Sequence, residues 1–158
     1  MTQPTRMPVD NRALFEEIRR VLDVGMDARF TVVGHSMWPT LTHKRDEVIL
    51  SPLDGRVKRG DVVLFCPAEG RYLLHRVCRV RHGQMVTAGD GNCWRDGAFS
   101  TATIVGRVTK IGRKGRWYSC TDGWYRLRSR AWMALYPLRP LLLKCLRFVA
   151  ARRGGRHD

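Results

Sequence analysis

No stretch of the 158-residue chain reaches 18 uncharged apolar residues; the longest candidate, Ala131 to Leu138, runs straight into Arg139. A bilayer-spanning helix needs about 20 such residues and is not expected. The N-terminal MTQPTRMPVDNRALFEEIRR lacks the apolar run of a secretory signal and carries acids where one would lie. The five cysteines (Cys66, Cys78, Cys93, Cys120, Cys145) include no C-x-x-C spacing, and such an odd, scattered set reads as reduced thiols, not a disulfide framework. These absences together predict a cytoplasmic body, with peripheral attachment the remaining route to a membrane. Acid is scarce as well: 14 Asp and Glu face 29 Lys and Arg, a formal charge of +15. The imbalance is concentrated from Gly106 onward, where 14 basic residues meet only Asp122 and Asp158. A nearly neutral body with a basic tail predicts that the tail meets a polyanion while the body does something else.

At 44% hydrophobic and 27% charged residues, the chain has enough apolar material for one packed domain with modest extensions. Three zones follow. Residues 1–29 hold a short helix, N-capped by Asp10 or Asn11 and stopped at Gly25, whose apolar positions Leu14, Phe15, Ile18, Val21 and Leu22 share one face. Residues 30–120 change to short β-rich runs separated by Gly, Pro and Asp: Phe30–Val33, Glu47–Leu50, Asp61–Phe65, Tyr72–Val80, Gln84–Ala88, Ile104–Ile111 and, more weakly, Trp117–Cys120. With no helical pattern between them, they predict a mostly β, antiparallel fold, a partly closed barrel. Residues 121–158 form a basic amphipathic tail that Pro137 and Pro140 divide into two short helices. Its interleaved Trp, Leu and Arg fit an interfacial helix on anionic lipid, and equally a terminal helix that covers the sheet with its arginines in water.

Four segments carry chemically suggestive residues. Gly34-His35-Ser36-Met37-Trp38-Pro39 follows the first β run and holds a serine on a glycine-led turn, where backbone N–H groups can face a developing oxyanion. Gly60-Asp61-Val62-Val63-Leu64-Phe65 is a turn feeding an apolar strand. Leu73-Leu74-His75-Arg76-Val77 sets a histidine in an otherwise apolar strand. Gly89-Asp90-Gly91-Asn92, followed by Trp94-Arg95-Asp96-Gly97, offers two aspartates in turns. Each segment alone is more often structural than catalytic. A metal site at His75, Cys78 and His82 is not expected, since an odd separation sends His75 and Cys78 to opposite faces of a strand. No metal and no cofactor is expected elsewhere.

Taken in order, SMWP, GDVVLF, HRV and GDGN resemble the boxes of the signal peptidase I family, in its histidine-type, endoplasmic-reticulum and archaeal-like branch. The resemblance covers roughly residues 30–108, and both flanks lie outside it. It implies a signal peptidase/LexA-like fold and a serine endopeptidase that cuts after small residues by acyl transfer. Ser36 would be the nucleophile and His75, standing where the bacterial branch has lysine, the base. Asp96 would orient the imidazole, and Asp90 would hold a structural or secondary catalytic role. Gly34 and Met37 would contribute to the oxyanion hole and substrate pocket, with Trp38 beside them. The chain departs from the family in having Gly34 where a Ser or Thr is usual, and in offering no transmembrane anchor before the serine. The expected partners are an extended peptide or protein substrate and, through the tail, a membrane surface; nucleic acid ranks lower because Trp and Leu interleave with the arginines. Two other readings compete. A self-cleaving LexA-like peptidase would need a lysine base, yet no lysine lies between Asp61 and Ile104. A catalytically weak module that binds membrane or nucleic acid would use the tail alone.

Overall fold

A computed structural model describes residues 9–154. Helix α1 (Val9–Asp23) comes first. It starts ahead of Asp10 and Asn11, so those two residues lie in its first turn and not at the cap expected from the sequence. Its end matches the expected stop. Gly25 adopts φ +81°, its N–H donates to the Leu22 carbonyl, and the Met26 N–H reaches back to the Val21 carbonyl. This paired closure of orphan carbonyls is available to a glycine at no steric cost. Phe15, Ile18 and Leu22 are buried, and Phe15 stacks on Tyr72 and meets Phe30 edge-on.

The strands are β1 (Ala28–Thr31), β2 (Asp46–Ser51), β3 (Val62–Ala68), β4 (Arg71–Arg81), β5 (Gln84–Ala88), β6 (Ala98–Ser100), β7 (Ile104–Arg113) and β8 (Arg116–Ser119). All pair antiparallel in one sheet of order β1-β2-β7-β3-β4-β5-β6, with β8 also on β7. β1 and β6 end the order and do not pair, so the sheet is open. The expected β runs all appear as strands, shifted at their ends by up to three residues. β6 was not legible, since Ala98-Phe99-Ser100 has neither β-branched residues nor room for alternation. It exists because β5 offers it an edge from Gln84 to Val86.

β3 carries the core. Val62 and Leu64 face one apolar cluster with Phe15, Ile18, Leu22, Leu50 and Val108, while Val63 and Phe65 face a second with Val77 and Met85. Both faces are covered, which is why this strand reads VVLF instead of alternating with polar residues. β7 binds β2 along one edge and β3, then β8, along the other. Gly106 permits this crowding: a Cβ there would lie 2.9 Å from both the Leu22 side chain and the Ser51 carbonyl.

Pro137 and Pro140 do divide the tail. α2 (Gly123–Ala134) is followed by a 3-10 turn (Tyr136–Leu138) and α3 (Arg139–Gly154). Pro140 falls in the first turn of α3, where a missing N–H breaks no helical bond. Among the described residues no helix is long and apolar enough to cross a membrane.

Candidate active site

His75 sits on β4 opposite Val63 of β3, inside the sheet and 5% exposed. Its Nδ1 lies 2.6 Å from Asp96 Oδ2. Asp96 is fixed in turn from β5: the Thr87 hydroxyl donates to the same Oδ2 at 2.8 Å, and the Asp96 N–H donates to the Thr87 carbonyl at 2.8 Å. Burial pushes the Asp96 carboxyl up, but the hydrogen bond and charge of His75, together with the Thr87 hydroxyl, outweigh it and hold the group below its ordinary range. An ionised carboxylate accepts and does not donate, so the proton between the two belongs on Nδ1. With Nδ1 so occupied, Nε2 is the ring nitrogen left to exchange a proton.

The neighbouring Arg76 points to the other side of β4 and meets the second aspartate. Its Nε and Nη2 grip Asp90 at 2.9 and 2.7 Å, and its Nη1 donates to the Gly60 carbonyl and to the Ser129 hydroxyl of α2. Arg76 and Asp90 are both at most 1% exposed. Burial opposes the guanidinium charge, yet Asp90 raises its pKa far above the ordinary value. Two adjacent residues of one strand thus take two aspartates to opposite faces, Asp96 to the imidazole and Asp90 to a buried ion pair.

Ser36 lies in the loop between β1 and β2. Gly34, at φ +95°, turns the chain, and its N–H donates to His43 Nδ1 at 2.9 Å. That amide is therefore engaged with His43, and Gly34 shapes the turn. Met37 is 2% exposed and belongs to the core beneath the turn. The Ser36 carbonyl accepts the Gly91 N–H at 2.7 Å. The contact is backbone on backbone: a Cβ on Gly89 would fall 2.4 Å from the Ser36 carbonyl oxygen, and one on Gly91 2.7 Å from that of Trp38. Both glycines of the GDGN turn are required by close approach, not by φ.

The serine turn is thereby pressed onto the turn that follows β5, whose Ala88 pairs with Arg76, next to His75. Among the described residues His75 is hydrogen-bonded through Nδ1 to Asp96, and no hydrogen bond joins it to the Ser36 hydroxyl. A second device holds the serine loop from below. Asp46, fully buried, accepts from Arg45, Arg113 and the Thr42 N–H, and Arg113 also donates to the Thr40 carbonyl. Burial alone would raise the Asp46 pKa, but these partners bring it down to about 2.

Sequence reasoning missed this support. Thr87 carried one signal, a lone hydroxyl in the apolar QMVTA strand; Arg113, Ser129 and Arg139 carried none. Arg139 is 1% exposed, donates to the Gly89 and Asn92 carbonyls at 3.2 and 3.3 Å, and lies between the Trp132 and Tyr136 rings. With the Trp132 indole N–H on the Asp90 carbonyl, it anchors the first half of the tail to the GDGN turn. β4 bulges between Val77 and Arg79, yet the Cys78 thiol contacts the Arg76 carbonyl 3.7 Å away and lies toward Arg95, Arg139 and Asp90, on the side of the strand away from His75 as expected. Among the described residues no three His, Cys, Asp or Glu side chains converge as a metal site would require. A scan of protein-family models and a search of curated protein sequences both find no match to this chain.

Proposed function

We propose that the chain is a serine endopeptidase of signal-peptidase-like type, with Ser36 as nucleophile, His75 as general base and Asp96 as the residue that orients it. One observation carries the reading: a buried histidine in an apolar strand is fixed through Nδ1 by a carboxylate that a threonine hydroxyl also holds. Any buried imidazole needs a partner for its N–H, and this one is ionised and itself held in place, which fixes the tautomer that a general base requires. The open antiparallel sheet is compatible with the signal peptidase/LexA-like fold that the four boxes suggest. In this reading His75 Nε2 takes the Ser36 proton as Oγ attacks the peptide carbonyl. The imidazolium then protonates the leaving amine, and water, deprotonated by the same nitrogen, hydrolyses the acyl-enzyme. With the Gly34 amide engaged, the oxyanion falls to the N–H of Ser36 itself. β1 ends the sheet and leads into the serine turn, so its free edge suits an extended substrate added as a further strand. Asp90, tied to Arg76, is a positioning residue for the turn that holds Ser36.

The test is cleavage of a diverse peptide library, read by mass spectrometry, for the wild type beside Ser36→Ala and His75→Ala. Cuts after small residues that disappear in both variants are expected. Cuts that survive Ser36→Ala would discard the nucleophile assignment.

A further inference from the structure

α3 is apolar on two sides. Arg139 and Leu143 turn inward and are 1% exposed, whereas Leu141, Phe148 and Val149 are 63%, 57% and 46% exposed. Leu141, Cys145, Phe148 and Val149 follow the spacing i, i+4, i+7, i+8, which lays them along one stripe facing away from the buried side. α2 differs: Ser129 is buried on the body, Trp124 and Ala131 line a cleft shared with Pro39, Ile111 and Tyr118, and Leu127 is 57% exposed. Exposed cations lie along both helices: Arg126 and Arg130 on α2, and Lys144, Arg147 and Arg152 on α3. Arg152 reaches over the Phe148 ring at 4.3 Å. Neither helix contains an acid.

From this we infer that α3, with the exposed cations of α2 beside it, forms a docking surface for an anionic lipid bilayer, its apolar stripe entering the interface and the cations meeting the headgroups. Charge complementarity selects this occupant. A second copy of the chain would set two acid-free, cationic faces against each other. A nucleic acid would satisfy the cations and could stack a base on Phe148, but would leave Leu141 and Val149 without an apolar partner. A bilayer surface serves both chemistries in one contact. The inference stands independently of the peptidase reading, since it uses none of Ser36, His75 or Asp96.

The experiment is co-sedimentation of the full chain with phosphatidylcholine vesicles, without or with about 30 mol% phosphatidylglycerol, at about 0.1 M salt. Wild type is compared with Leu141→Ser/Phe148→Ser and with Lys144→Glu/Arg147→Glu. All four side chains are exposed, and circular dichroism checks that the fold is retained. Binding to the anionic vesicles is expected, with partition at least about tenfold lower onto phosphatidylcholine and in each double variant. Absence of binding, or equal partition onto both vesicles, overturns the inference. So does a serine variant that binds as wild type, which would make the surface a general polyanion site, shared with oligonucleotides. A dimer in sedimentation equilibrium that the serine variant abolishes would assign the stripe to a second copy and overturn it as well.

Discussion

Asp96 and Asp90 show how environment divides two like residues six positions apart. Asp96 shares its Oδ2 between an imidazole and a hydroxyl, and its charge acts on His75. Asp90 lies in a fully buried ion pair, where removing the carboxylate would strand the Arg76 guanidinium. Substitution of each therefore has a different signature. Asp96→Asn leaves the site's shape and removes the charge that fixes the tautomer. Its kcat is expected to fall about 10³–10⁴-fold at pH 8 with KM little changed, alongside some loss of thermal stability because the carboxylate's depressed pKa stabilises the fold. Because the Asp96 pKa is held below its ordinary range, the wild type keeps this advantage throughout neutral pH and loses it only as acid protonates the carboxyl. Steady-state kinetics from pH 6 to 9 check this. A loss confined to KM would contradict the assigned role. The GDGN glycines make a related point, since the motif looked like turn chemistry and is a close backbone contact with the serine loop.

Among the elements, the joint between β2, β7 and the serine loop is electrostatic. Asp46 on β2 is held by Arg113 on β7, which also grips the Thr40 carbonyl. Its folded pKa of about 2 lies below the ordinary 3.8, so the carboxylate's stabilisation is fully present above about pH 4 and is lost as pH falls toward 2. Over that window the wild type should lose about 2 kcal/mol of unfolding free energy that an Asp46→Asn variant does not lose. Urea titrations at pH 5 and pH 2 measure the difference, and parallel acid losses in both proteins would contradict it. This joint was not legible in the sequence, because Asp46 and Arg113 are remote along the chain and each looks like a surface charge. The strands were legible, because β-branched runs bounded by glycine report local preference. β6 was not, because it follows only from the edge it pairs with. The split of the tail was also legible, since Pro137 and Pro140 act through their own backbone.

On the scale of the whole molecule, the near-neutral body and cationic tail do not separate into independent parts. The first half of the tail closes the back of the candidate site: Ser129 meets Arg76, and Trp132 and Arg139 meet the turn that holds Ser36. The remainder presents an apolar stripe and cations outward. The tail therefore meets the candidate site at two places, Arg76 of β4 and the turn at residues 89–92. The order of the four boxes made Ser36, His75 and Asp96 candidates, but the contacts that place them come from β5, β7 and α2. Activation of Ser36 by His75 is read by treating the full chain with a fluorophosphonate and locating the adduct by peptide mass spectrometry. One adduct is expected, on Ser36, forming at least about a hundredfold more slowly in His75→Ala. An adduct on another residue, no adduct, or an unchanged rate without His75 would contradict that activation.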